Sequence, residues 1–205
     1  NTKTEAEGGY GKPVVEHLVI NRPIATVTVA DAPFKGLTTL KKVEIGAQCT
    51  KLSPSYFAGC SALDSVVIAE GMSDLGTNSF AGTAITKITI PATVTTIPTT
   101  CFSGCSALTE VVFNEGLTSI DDQAFSGSPV ATINWPTTLT KVGNYAFSNS
   151  NISGDIVFPA NVKTIGTQAF NNNAGITSVA FPAALTSLGD GAFKGCLGLR
   201  SINIP

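Results

Sequence analysis

The side chains best suited to chemistry in this 205-residue chain are five cysteines and a single histidine. Cys101 and Cys105, spaced C-x3-C, are the cysteine pair close enough in sequence to form a local disulfide or to hold a metal ion together. A zinc site usually takes four cysteine or histidine ligands, and His17 is the one histidine that could contribute. We therefore predict no metal site and no cofactor.

Nucleophilic catalysis would have to be built on His17, because a Ser-His-Asp or Cys-His arrangement needs an imidazole base. His17 lies at a variable position of an apolar segment, where a solvated side chain is expected. Asp121-Asp122 and Asn114-Glu115 supply oxygen ligands that could hold calcium, but no similar acidic group recurs along the chain. We predict no catalytic residue and expect that the protein is not an enzyme.

The charge of the chain argues against two classes of partner. Twelve Lys and Arg stand against fourteen Asp and Glu, for a net charge of −2, and only 13% of residues are charged. The basic residues are scattered from Lys3 to Arg200, so no basic patch could hold a phosphate backbone or an acidic membrane surface. No apolar run approaches the roughly 18 to 20 residues of a membrane helix. We expect no nucleic acid partner and no direct membrane insertion.

Phenylalanine recurs every 22 or 23 residues along the chain. Each of these residues belongs to a unit that begins with an apolar frame of the form L-x-x-V-x-I, such as Leu40, Val43 and Ile45. Further apolar residues follow four and seven positions after the frame, as Val94 and Ile97 do, and the phenylalanine comes five residues later. The recurring members are Phe34, Phe57, Phe80, Phe102, Phe125, Phe147, Phe170 and Phe193.

This period predicts a solenoid, because a repeat of this length cannot bury its apolar side chains alone and must stack on its neighbours. Equivalent strands then pair in parallel about 4.8 Å apart. We predict a single parallel β-sheet of about nine short strands on one face, with short extended pieces and single helical turns, such as residues 166–170, on the other. Residues 1–13 are predicted to be a flexible leader or linker, and residues 14–205 eight full repeats plus a terminal strand. The first repeat would include Ile24 and Val27.

Three cysteines share one position of the repeat. Cys60, Cys105 and Cys196 lie in repeats two or four apart, so they are at least about 10 Å from one another. A disulfide needs Cα atoms within about 7 Å. We therefore interpret the cysteines as small, buried, apolar side chains.

The repeat L-x-x-V-x-I-P-x-x-V-x-x-I-G-x-x-A-F-x-G-C resembles the BspA-like class of bacterial leucine-rich repeats. Its fragments include Ile165-Gly166, Ala169-Phe170 and Gly195-Cys196, and the resemblance covers residues 14–205. It implies a leucine-rich-repeat solenoid, assigned to the α/β class by convention but dominated by β-structure. It also implies a secreted or cell-surface protein that binds host or bacterial surface proteins or glycans, with adhesion as the usual role.

In such proteins the exposed side of the parallel sheet is the usual docking surface. It carries small side chains of mixed charge and almost no aromatic residues, so it lacks the anchors typical of strong protein interfaces. The alternative is that this side is merely solvated and that the protein is a structural spacer or scaffold within a larger surface protein. The predicted binding residues are Lys42, Glu44, Lys87, Thr89, Glu110, Thr132, Asn134 and Asp155.

The last apolar frame, from Leu199 to Ile204, is followed by no polar capping repeat. An open strand edge and an apolar end face can pair with another chain. We therefore expect either that a cap is missing or that the C-terminal edge allows end-to-end self-association.

Overall fold

Parallel strands from successive repeats line one side of the protein, in a computed structural model that describes residues 14–21 and 32–205. We call this side the front. Register is kept from repeat to repeat, so that Leu18 pairs with Val43 and Val43 with Val66. The front strands are β1 (His17–Ile20), β2 (Lys42–Ile45), β3 (Ser65–Ile68), β4 (Lys87–Ile90), β6 (Glu110–Phe113), β8 (Thr132–Ile133), β10 (Ser153–Val157), β12 (Gly175–Ala180) and β14 (Ser201–Asn203).

A second parallel sheet forms where the sequence predicted only short extended pieces. Its strands pair in register, as Ile97 does with Ile120 and Ile120 with Val142. The pairing follows from stacking: once the front strands hold the repeats at strand spacing, equivalent extended segments elsewhere in the repeat also lie within hydrogen-bonding distance. The strands are β5 (Thr96–Ile97), β7 (Ser119–Ile120), β9 (Lys141–Val142), β11 (Thr164–Ile165) and β13 (Ser187–Leu188).

The predicted solenoid is confirmed, but the front is not one continuous sheet. Its strands form three groups, β1-β2-β3, β4-β6-β8 and β10-β12-β14. The repeat after the second gap carries an extra residue, and the register of β10 with β12 shifts between Gly154 and Asp155. At the first gap Pro91 has no N–H to offer, whereas the equivalent Ala69 donates to the Ile45 carbonyl at 2.8 Å.

The predicted helical turns are wrong, and no helix occurs in residues 14–21 or 32–205. The backbone takes positive φ two residues before the phenylalanine, at 55° for Tyr145, and often two residues after it, at 56° for Asn149. Left-handed residues on both sides of Phe147 prevent a right-handed helical turn. The segment instead hydrogen-bonds to the next repeat, with Phe147 N donating to the Ala169 carbonyl at 2.8 Å. These turns therefore form a third parallel ladder.

The phenylalanines form a continuous stack through the core. Neighbouring ring centroids are 5.2 to 5.9 Å apart, and the planes of most neighbours lie within about 13° of each other. Phe57, Phe80, Phe102, Phe125, Phe147 and Phe170 are fully buried, whereas Phe34 and Phe193 at the two ends are half-buried. The predicted burial of this side chain is confirmed. Trp135 also packs against the core, with its ring 5.9 Å from that of Phe147.

All five cysteines are buried free thiols, so their predicted burial is confirmed. The interpretation as purely apolar side chains is wrong for four of them. Cys49 donates to the Lys51 carbonyl at 3.6 Å. The other three donate to the phenylalanine carbonyl of the preceding repeat: Cys60 to Phe34 at 2.9 Å, Cys105 to Phe80 at 3.1 Å and Cys196 to Phe170 at 3.2 Å. Ser128 and Asn173 make the equivalent bond in other repeats. The Gly-Cys fragment therefore marks a position at which a small side chain often donates a hydrogen bond to the preceding repeat.

We expect Ser128→Ala to lower the free energy of unfolding by about 1 to 3 kcal/mol. The hydroxyl of Ser128 donates to the Phe102 carbonyl and accepts from Cys105 N, and the substitution leaves both buried backbone groups without partners. Ser150 is the matched control, because it occupies the same position of the next repeat and its buried hydroxyl has no hydrogen-bond partner among the described residues. Ser150→Ala should leave the guanidinium unfolding midpoint nearly unchanged. Similar losses for the two variants would contradict the donor role.

We also expect the thiols to be unreactive while the protein is folded. Burial raises the pKa of Cys101 well above its usual value and also raises the pKa of Cys60, Cys105 and Cys196. Because the thiolate is the reactive form, a disulfide reagent should modify the thiols only at the rate of unfolding. In guanidinium all five should react at once, which provides the control. Rapid modification of the folded protein at neutral pH would contradict this.

Candidate functional site

The candidate site is the front face, which we define as the outward-pointing side chains of the front strands. In β4, Ile88 and Ile90 point into the core while Lys87 and Thr89 are exposed, as the period of two in a strand requires. The middle row of this face mixes apolar and polar side chains, and Val67 and Val157 are 55% and 67% exposed. The row comprises Glu44, Val67, Thr89, Val112, Asn134, Val157, Ala180 and Asn203.

Glu44 lies at the centre of a small charged cluster near the first strand. Its Oε1 is 2.6 Å from Lys42 Nζ and 3.2 Å from His17 Nε2. The hydrogen bond from Lys42 and its positive charge lower the pKa of Glu44, and His17 adds to the effect. His17 is exposed at the front face, in agreement with the predicted solvated position.

Lys87 and Glu110 pair across neighbouring strands. Lys87 Nζ on β4 is 2.6 Å from Glu110 Oε1 on β6, and both side chains are about half exposed. An exposed pair of this kind contributes little to stability, but it neutralises both charges on the front face. A ligand must therefore displace one partner to use the other.

Asp155 is also satisfied within the protein. Its Oδ1 accepts hydrogen bonds from Ser178 at 2.6 Å and from Thr177 at 2.7 Å. The bond from Ser178 is the main cause that lowers the pKa of Asp155, followed by the bond from Thr177. The carboxylate is exposed, but its nearest donors are supplied by β12.

The Asn134 side chain makes the hydrogen bonds that the backbone of a longer β8 would make. Its Nδ2 donates to the Phe113 carbonyl at 2.8 Å, and its Oδ1 accepts from Phe113 N at 3.2 Å. A regular continuation of β8 would bring Pro136 opposite this carbonyl, and proline cannot donate a hydrogen bond. The sequence Asn134-Trp135-Pro136 was the available signal for this structural role, which the prediction of a binding residue missed.

Thr89 and Thr132 differ from the other six predicted residues, since their hydroxyls take no hydrogen bond within the described ranges. Each lines a cleft at one of the two gaps in the front sheet. The first cleft lies between β3 and β4, is open on one side and has a volume of about 510 Å³. Asp64, Ser65, Thr86 and Lys87 line it with Thr89. The second lies between β8 and β10 and encloses about 190 Å³. Periodicity did not point to either cleft, because a perfect repeat has no gap.

The acidic residues weighed for calcium bind other groups of the protein. Asp121 Oδ1 accepts from Ser119 at 2.8 Å and from Lys141 at 3.0 Å, and Asp122 binds the backbone and side chain of Asn144. In the part of the chain that the structure describes, no three His, Cys, Asp or Glu side chains are grouped as metal ligands. No helix with the length and hydropathy of a membrane span occurs there either.

The chain is similar to a known repeat family and to several solved structures. A family model described as a BspA type leucine-rich repeat region matches residues 27–153 and 150–205, in six copies. No curated protein sequence matches the chain. Among solved structures, a leucine-rich-repeat protein of T. pallidum is 26% identical over 79% of this chain and 68% of its own, with a TM-score of 0.59.

Two further solved structures share the fold at lower identity. The pneumococcal vaccine antigen PcpA is 15% identical, with a TM-score of 0.62 over 93% of this chain and 61% of that protein. A leucine-rich-repeat protein of Bacteroides ovatus is 20% identical, with a TM-score of 0.52 over 91% of this chain and 62% of that protein. The chain thus spans about three fifths of the length of these two structures.

Proposed function

Because the chain belongs to the BspA-type leucine-rich-repeat family, we propose that it is a non-enzymatic binding module that acts in a secreted or cell-surface protein. It recognises a protein or glycan partner on host or bacterial cells, and its contribution is adhesion. The binding surface is the front face. The observation that carries the proposal is the row of exposed side chains on strands held in fixed register.

The rigidity of the front face supports this role. The front strands, the second sheet and the phenylalanine turns connect successive repeats by backbone hydrogen bonds. Side chains on such a scaffold lose little further freedom when a partner binds. Since the face has mixed charge and few large anchors, each contact is weak, and strong attachment comes from many contacts along the array.

A structural spacer is the second candidate. The observation that favours it is that six of the eight predicted residues are already engaged within the protein: Lys42, Glu44, Lys87, Glu110, Asn134 and Asp155. Side chains that already form ion pairs or hydrogen bonds within the protein contribute less free energy to binding a partner. The predicted end-to-end association stays a prediction, and the residues at that edge, Ile202 and Ile204, are 51% and 69% exposed.

The binding role is tested with the full chain immobilised and challenged with a panel of matrix proteins, glycans and cells. We expect at least one partner to bind and Lys87→Ser/Glu110→Ser to weaken that binding at least fivefold. This double substitution leaves the net charge unchanged, and removal of an exposed ion pair costs the fold no more than about 1 kcal/mol.

The matched control is Lys141→Ser/Asp121→Ser, which removes an ion pair of 3.0 Å on the second sheet. It should bind like the parent. If the panel contains no partner, or if both double variants bind equally well, the binding role of the front face is refuted and the spacer is favoured.

A further inference from the structure

We infer that the cleft between β3 and β4 is a binding site for a short neutral oligosaccharide. The inference rests on the proposed binding function and deepens it, because it names a place on the front face and a class of ligand. It starts from the contrast between this cleft and the remainder of the face.

Several polar residues that make no side-chain hydrogen bond within the described ranges lie together at the cleft. Asp64, Ser65, Thr86 and Thr89 are among the residues that line it, and none of their side chains makes a hydrogen bond within the described ranges. Elsewhere on the face the charged side chains are engaged, as Asp155 is with Ser178 and Lys42 with Glu44. A ligand at the cleft can therefore gain hydrogen bonds without breaking existing ones.

Unpaired backbone groups provide further hydrogen-bonding capacity at the cleft. β3 and β4 belong to different sheets and are not hydrogen-bonded to each other, so their facing N–H and C=O groups need partners from outside the ladder. The second sheet is interrupted at the same pair of repeats, where β5 is its edge strand. The cleft is thus the point at which both sheets stop.

The width of the cleft is set by the third ladder. Between these two repeats, Phe80 N donates to the Cys101 carbonyl and Gly82 N to the Ser103 carbonyl, each at 2.9 Å, and the rings of Phe80 and Phe102 are 5.3 Å apart. Because this contact holds the repeats at ordinary spacing, a whole peptide strand cannot insert between β3 and β4. The occupant must be compact and must hydrogen-bond from the open side.

The chemistry of the lining selects a neutral polyhydroxylated ligand. Lys87 also lines the cleft but is paired with Glu110 at 2.6 Å. Asp64 makes no ion pair within the described ranges, and its charge repels phosphate, sulfate and carboxylate groups. A carboxylate accepts hydrogen bonds from two neighbouring hydroxyls, and Ser and Thr can both donate and accept. Val67, 55% exposed, offers apolar surface to the C–H face of a sugar ring. The volume of about 510 Å³ lies in the range of small-ligand sites.

The test uses the full 205-residue chain and a printed array that carries neutral and anionic oligosaccharides, with each hit titrated by isothermal calorimetry. We expect neutral oligosaccharides to bind, and Asp64→Asn and Ser65→Ala each to weaken the affinity about tenfold, as removal of a hydrogen bond to a ligand does. Ser201→Ala is the matched control, because Ser201 occupies the position of Ser65 in the last strand and lies outside the cleft. It should bind like the parent.

Unchanged guanidinium midpoints establish that the variants are folded. No neutral hit, a preference for anionic oligosaccharides, or hits that Asp64→Asn and Ser65→Ala leave unchanged would each overturn the inference. If a protein or peptide ligand binds and depends on Lys87 and Glu110 while the array stays silent, the inference fails and the proposed function stands. If nothing binds in either experiment, both fail.

Discussion

Phe125→Ala is expected to lower the free energy of unfolding by about 3 to 5 kcal/mol. Phe125 is fully buried, and its ring lies between those of Phe102, at 5.3 Å, and Phe147, at 5.2 Å. Phe113 meets it edge to face at 5.9 Å. The substitution therefore leaves a cavity in the middle of the stack, which the surrounding backbone ladders cannot close.

The same change at the end of the stack provides the control. Phe193 is half-buried and stacks on Phe170 alone, at 5.2 Å, with Phe181 edge to face. Phe193→Ala should lower the free energy of unfolding by roughly half as much as Phe125→Ala. Guanidinium denaturation followed by circular dichroism measures both. Equal guanidinium unfolding midpoints for Phe125→Ala and the parent would show that the phenylalanine stack does not stabilise the fold.

Gly166→Ala is expected to cost about 3 kcal/mol, the upper end of the usual range for overpacking. A Cβ atom at this position would lie 2.5 Å from Asn144 N and 2.5 Å from the Gly143 carbonyl carbon. Both atoms belong to the backbone of the preceding repeat, so no side chain can rotate away to relieve the contact. The two repeats must separate locally.

Gly104→Ala separates this packing effect from a backbone effect. Gly104 has a φ of +66°, and a Cβ there meets no atom of the described residues within 4 Å. The substitution therefore costs only the free energy of the left-handed conformation, about 1 kcal/mol. The free energy of unfolding of both variants is measured in urea. If Gly104→Ala proves at least as damaging as Gly166→Ala, the close approach of the corners is not the reason for the Ile-Gly fragment.

Most of the fold could be predicted from the repeat alone. The apolar frame repeats with period two inside each strand and with period 22 to 23 along the chain, and only stacked parallel strands bury both sets of positions. Burial of Phe125 and of the cysteines followed from the same pattern. The helical turns were predicted wrongly because side-chain pattern does not reveal the sign of φ, and six non-glycine residues two positions before a phenylalanine are left-handed.

The candidate site was predictable only as a surface. Period two showed that Lys87 and Thr89 point outward on one strand, and the structure places them there. The period of two could not show that Lys87 forms an ion pair with Glu110. Nor could it show that the Asn134 side chain hydrogen-bonds to the Phe113 backbone or that Thr89 lines a cleft. Each of these depends on side-chain geometry between residues about 22 positions apart.

The sequence by itself therefore determined the solenoid, its core and its outward face, because these depend on which positions are apolar, and apolar positions repeat. The tertiary structure alone decided where the front sheet is interrupted and which polar groups are left for a partner. The interruptions coincide with small local departures: the first gap lies where Pro91 lacks an N–H, and the second precedes the extra residue near Gly154. Their effect on hydrogen bonding appears only when neighbouring repeats are stacked within bonding distance.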